Sequence, residues 1–137
     1  MKKSYHKLIL LFSIPVIFVS CAKEDQQGPT ADVRDRFVAA WNCNENSSQT
    51  GANPAFTVNI IKSSNSTQVL LGNFYGLGAS KQAYANISGD SLFLPAQTYE
   101  GNTVQGKGAL QGSSVLKLNY TVDDGSNIDI VSATLTK

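Results

Sequence analysis

From residue 41 to the carboxyl terminus, apolar side chains recur at every second position, in short runs broken by Gly, Asn, Asp and Ser. Phe56, Val58 and Ile60 alternate with Thr57, Asn59 and Ile61. Val69 and Leu71 follow beyond the polar turn 63–67. Ala83, Ala85 and Ile87 alternate with Gln82, Tyr84 and Asn86, and Gly89-Asp90 turns the chain into a run over 91–94. Val104, Gly106, Gly108 and Leu110 share a face opposite Thr103, Gln105, Lys107 and Ala109. Gly112-Ser113 leads into Leu116, Leu118, Tyr120 and Val122, and Asp124-Gly125 into 128–135. Period-two runs bounded by turn residues are the signature of β-hairpins. In the last run Ile128 and Ile130 give way to Val131, Ala133 and Leu135, a change of phase that predicts a β-bulge near 130–131. With Trp41–Glu45 as the first, eight strands are expected.

A meander with one apolar face must hide that face. Closure into an up-and-down barrel hides it and removes the sheet edges, so the expected fold is an all-β, eight-stranded antiparallel barrel. A two-sheet sandwich is the alternative. Ahead of the strands, Thr30 and Asp32 are both placed to cap a helix. Val33, Phe37 and Trp41, spaced by four, share a face if 32–40 form about two helical turns.

The amino-terminal segment has a different grammar. Lys2, Lys3 and Lys7 precede an unbroken apolar run over 8–19, which meets Ser20-Cys21 and turns polar at once. The run is shorter than the roughly 20 residues that cross a bilayer and has the layout of a secretory signal. Its junction resembles a lipobox, in a relaxed form with Phe18 and Val19 before Ser20. The resemblance implies lipidation of Cys21 and attachment to the membrane through that lipid. Lys23-Glu24-Asp25 resembles the surface-export signal of Bacteroidota lipoproteins, which implies an outer-membrane, cell-surface location. The expected organisation is a signal over 1–20, a lipidated tether over 21–31 and one barrel domain over 32–137.

Composition narrows the function. Three of the eleven basic residues lie in the signal, so the remainder carries eight Lys and Arg against ten Asp and Glu, without the basic stripe of a nucleic-acid binder. The one histidine, His6, also lies in the signal. Histidine-based zinc sites and histidine-activated nucleophiles are therefore not expected in the barrel. Cys43 is the sole cysteine besides Cys21. It lies in phase with Trp41 and is expected to be buried. The expectation is a protein without enzymatic activity, cofactor or metal.

Three further groupings carry chemistry in principle. Gly106, Gly108 and Gly112 lack the Gly-Lys-Ser/Thr of a phosphate loop. Glycines two apart on one strand face suit tight coiling or a close backbone approach. Asp123, Asp124 and Asp129 form the one carboxylate cluster, without EF-hand spacing, and read first as a solvated turn. Asp90-Ser91-Leu92 resembles the short O-glycosylation pattern of exported Bacteroidota proteins, which implies modification of Ser91.

Ala39-Ala40-Trp41, following a short helix and opening a meander, resembles the start of lipocalin-like (calycin) barrels. In that family the motif is Gly-x-Trp, and an arginine from the last strand packs over the tryptophan. Here alanine replaces the glycine, and Arg34 and Arg36 are the only arginines. The resemblance implies a small lipocalin-like lipoprotein domain that binds an apolar or amphipathic ligand inside the barrel. Such a cavity would be lined by Trp41, Phe56, Val58, Ile60, Leu71, Ala85, Ile87, Gly106, Gly108, Leu118 and Tyr120. The alternative is a filled barrel that engages a protein partner, as an inhibitor or accessory subunit, through the loops over 46–55 and 73–82.

Overall fold

The alternation read from the sequence closes on itself. In the computed structural model, which describes residues 30–137, the strands are β1 (Ala39–Ser47), β2 (Gly51–Ala52), β3 (Phe56–Lys62), β4 (Gln68–Gly72), β5 (Gln82–Ser88), β6 (Ser91–Tyr99), β7 (Asn102–Gln111), β8 (Val115–Asp123) and β9 (Ile128–Thr136). β2 is a two-residue stub on the end of β1. The other eight form an antiparallel up-and-down meander, closed where Asn42–Ser47 of β1 pair with 131–136 of β9. Closure leaves the long strands no free edge. Cys21, Lys23, Glu24 and Asp25 lie outside the described residues. No helix among the described residues is long and apolar enough to cross a membrane.

The two ends of the barrel differ. At the floor, where the chain enters, the expected two-turn helix is a single 3₁₀ turn over Val33–Arg36, with the Asp32 carboxylate accepting from the Arg34 amide. Phe37 and Trp41 are fully buried, but Val33 is exposed, because the chain leaves helical geometry before a second turn can align the three. The Arg34 guanidinium donates to the carbonyls of Ser63, Asn65 and Gln68, which fastens the turn to the β3–β4 connection. The Trp41 indole N–H donates to the Phe37 carbonyl at 2.7 Å. The Lys137 ammonium lies 4.5 Å from the Trp41 ring centroid and donates to the Arg36 carbonyl. A cation from the end of the last strand therefore lies over the tryptophan ring.

The expected inward residues Trp41, Val58, Ile60, Val69, Leu71, Ala83, Ala85, Ile87, Leu116, Leu118, Tyr120 and Val122 are all buried in one continuous core. Phe56 is only partly buried and packs against that core from the barrel's end. At roughly 25 cal/mol per Å² of apolar surface removed from water, the valine, leucine and isoleucine side chains among them each contribute on the order of 1.5–3 kcal/mol.

The bulge expected near 130–131 is absent: the pairing of β9 with β8 is continuous from Asp123↔Ile128 to Val115↔Thr136. Ile128 and Ile130 point outward, at 59% and 63% exposure, and Asp129 faces inward with Val131, Ala133 and Leu135. A one-residue slip would have turned those three apolar residues to solvent, so they set the phase and the isoleucines yield. The irregularity lies instead in β6, where the register shifts between Leu94 and Gln97 around Pro95. There the Gln97 side-chain amide donates to the Tyr84 carbonyl and its oxygen accepts from the Tyr84 N–H, standing in for a missing backbone rung between β5 and β6.

Candidate functional site

Gly106 and Gly108 are in phase with inward-facing Val104 and Leu110, yet they leave no usable space. A Cβ on Gly106 would lie 2.4 Å from the Tyr120 Cβ and 2.5 Å from the Asn119 carbonyl oxygen. One on Gly108 would lie 2.4 Å from the Lys117 carbonyl oxygen. The two glycines are what lets β7 coil tightly against β8. Neither has room for a side chain on its inner face, although Gly106 also borders a groove that opens on the outer wall.

The upper interior is filled from a loop. The connection after β4 forms a 3₁₀ turn over Phe74–Gly76, with Asn73 and Tyr75 in the left-handed region at φ of 57° and 54°. Both are non-glycine residues, and such conformations persist only where surrounding contacts enforce them. The Asn73 side chain supplies two of these contacts, donating to the Thr57 carbonyl and accepting from the Gly78 N–H. Phe74 drops into the barrel and is almost fully buried, its ring centroid 4.6 Å from that of Tyr120 and 5.8 Å from that of Tyr99. It plugs the barrel as a side chain of the protein itself.

Around this plug stands a buried polar network that the sequence reading missed. On β1 the inward positions above Trp41 are Cys43, Glu45 and Ser47. Tyr120 O–H donates to Glu45 Oε1, and the Cys43 thiol lies 3.7 Å from the same oxygen. Asp129 accepts from Ser47 Oγ at 2.7 Å, Ser48 Oγ at 3.0 Å, the Gln49 N–H at 3.3 Å and the Tyr75 hydroxyl at 2.7 Å. One carboxylate thus fastens the β1–β2 turn and the plug loop to β9. The signal for this was present: Glu45 and Ser47 continue the period of Trp41 and Cys43, and Asp129 that of Val131. Hydrophobicity alone discarded them.

The two carboxylates differ in electrostatics. Burial, helped by the charge of Asp129, pushes the Glu45 carboxyl above the usual range against the pull of its hydrogen bonds from Tyr120 and Cys43. Burial alone would raise Asp129 too, but donors from Ser47, Tyr75, Ser48 and Gln49 outweigh it and hold the carboxyl below its ordinary value. Burial and the hydrogen bond to Asp129 push the Tyr75 hydroxyl up to about 12. Burial first, then Glu45, raises both the Cys43 thiol and the Tyr120 hydroxyl, so neither is an activated nucleophile or base at neutral pH.

Two cavities stand out. One, of about 370 Å³, is a groove on the outer wall between Phe93, Lys107, Asn119 and Ile130. The other, of about 230 Å³, lies at the mouth, where the connections around Gln49, Tyr75–Leu77, Asn102 and Asp124–Asn127 converge above Val122 and Asp129. The loops singled out over 46–55 and 73–82 both contribute to it.

The carboxylate cluster of the sequence reading separates. Asp123 Oδ1 accepts from Gly125 N, and Asp124 Oδ1 accepts from Ser126 N and Asn127 N, as turn residues do, whereas Asp129 is buried in the barrel. No group of three or more His, Cys, Asp or Glu among the described residues is placed to hold a metal ion. Ser91 is exposed at the β5–β6 hairpin beside Asp90, which pairs with Arg36. No protein-family model matches this chain, and no curated protein matches it.

Proposed function

We propose that this protein is a non-enzymatic, lipid-anchored recognition module, carried on the outer membrane and facing outward. Its filled barrel is a rigid mount, and its loop rim engages a protein partner. One observation carries this reading: the upper interior, where an apolar ligand would sit, is occupied by Phe74 between Tyr99 and Tyr120. Gly106 and Gly108, the residues that would have opened space, are met by the backbone of β8. What remains accessible at the mouth is a small polar pocket framed by four connections. Loops held by a rigid scaffold are where binding residues concentrate.

The lipocalin-like reading of the domain rests on the closed meander, the buried Trp41 and the Lys137 ammonium over its ring. The anchor and surface location rest on Ser20-Cys21 and Lys23-Glu24-Asp25. The rim is the end of the barrel opposite that at which the chain enters, which suits presentation to a partner.

The test is site-specific photo-cross-linking on intact cells. A photoreactive residue at Leu77 on the rim is expected to trap one discrete protein, and the same residue at Lys117 on the outer wall near the floor is not. Equal patterns from both positions would contradict recognition through the rim.

A further inference from the structure

Apart from Lys107, midway along β7, the charges of the barrel are sorted by end. The rim holds Glu45, Glu100, Asp123, Asp124 and Asp129 against the single cation Lys81. The floor holds Arg34, Arg36, Lys62, Lys117 and Lys137 against Asp32, Asp35 and Asp90. At the floor the acids are neutralised locally, Asp32 by Arg34 and Lys62, Asp35 by Lys62 and Asp90 by Arg36. At the rim the only ion pair among the described residues is the 3.6 Å contact of Lys81 with Glu100. Asp129 is surrounded by neutral donors, so its charge is stabilised but not cancelled.

The mouth pocket collects this potential. Its lining includes two carboxylates, Asp124 and Asp129, three amides, Gln49, Asn102 and Asn127, and no lysine or arginine. Its remaining walls are the Tyr75 ring, Leu77 and Val122. Apolar walls below a carboxylate edge suit an alkyl stem that ends in a cation. At about 230 Å³ the space is smaller than the roughly 300–1,000 Å³ of clefts that enclose drug-sized ligands. It has room for a single long side chain.

We infer that the mouth pocket seats one lysine or arginine side chain presented by the protein partner. The inference rests on the rim reading above and supplies the partner's chemistry. The aliphatic stem lies against Tyr75, Leu77 and Val122. The cationic head meets the Asp124 carboxylate and the amide oxygens, in the field of Asp129. A concentrated negative rim also steers a basic partner before contact.

The test uses the full chain in neutral detergent and the side-chain amide NMR signals of Gln49, Asn102 and Asn127, which report from the pocket wall. Capped Gly-Arg-Gly and Gly-Lys-Gly peptides are expected to shift these signals saturably, and capped Gly-Leu-Gly and Gly-Glu-Gly are not. Asp124→Asn preserves the Oδ1 acceptor of the turn and should weaken peptide binding by about fivefold. Raising the salt should weaken it further. No saturable response to the cationic peptides, or an equal response to the leucine peptide, overturns the assignment. n-Butylguanidinium separates the sources of the cation: if it binds while Gly-Arg-Gly does not, the pocket takes a free small cation and the proposal fails. Rim cross-links that persist unchanged in Asp124→Asn discard the pocket chemistry and leave the rim reading standing. Absence of rim cross-links discards the rim reading itself.

Discussion

Gly106 and Gly108 show how a single residue decides what a barrel can be. Both have ordinary strand conformations, so the missing side chain matters through space alone. A Cβ at either would meet β8 at 2.4 Å. Gly108→Leu is therefore expected to destabilise the fold by about 1–3 kcal/mol, and Gly106→Ala by a similar amount despite adding one methyl. Denaturant titration measures both, and an unchanged midpoint for Gly106→Ala would mean that the strands do not approach this closely. Cys43 is the opposite kind of residue, small and inert. It is 1% exposed and its thiol is pushed up by burial. It should react slowly with a thiol reagent in the folded protein and fast in denaturant, and equal rates would place it on the surface. The burial of Cys43 was legible in the sequence because period two and apolar character agree there. They disagree at Glu45 and Asp129, where polar residues occupy inward positions. There the sequence reading followed apolar character and missed the network.

At the scale of the element, the plug loop and β9 depend on one another. Phe74 fills the aromatic cluster, and Tyr75 fastens the loop to Asp129. Tyr75→Phe removes a hydrogen bond to a buried charge and should cost about 2 kcal/mol. The loss should be accompanied by faster amide exchange over 73–78. Exchange unchanged in that loop would show that Phe74 alone holds it. The same network sets the response to pH. Asp129 has a lowered carboxyl, so its contribution is present above its ordinary value of 3.8 and is lost as pH falls through the lower folded value. Glu45 has the opposite sign. Its folded value is raised, so the native state holds the extra proton, and stability declines as pH rises from 4.5 through that folded value. Glu45→Gln should flatten this decline and make the protein more stable at neutral pH. A variant with the same pH slope as the parent would show that Glu45 is not the titrating group. Element existence and order were legible in the turns, since Gly and Asn-Asp-Ser clusters separate every pair of strands. The phase of β9 was not, because Ile128 and Ile130 are as apolar as core residues. Only pairing with β8 reveals that they lie outside.

For the molecule as a whole, closure, the filled interior and the sorting of charge to two ends are the features on which the proposed rim recognition rests. The proposed anchor belongs to this scale as well. Cys21→Ala should abolish palmitate labelling and release the protein from membranes, and labelling that persists would end the lipoprotein reading. Alanines at Lys23-Glu24-Asp25 should leave lipidation intact and protect the protein from protease added to whole cells. Closure of the barrel to apolar ligands by its own Phe74 is the proposal on which the rim reading stands. It is tested most directly by titrating fatty acids, retinoids and haem into the folded protein while following Trp41 fluorescence, with Phe74→Ala alongside and a small aromatic such as indole included, its binding followed by calorimetry. The parent protein should bind none of these, and the variant should take up indole in the ring space vacated between Tyr99 and Tyr120. Saturable binding of any of these ligands by the parent would contradict the proposal.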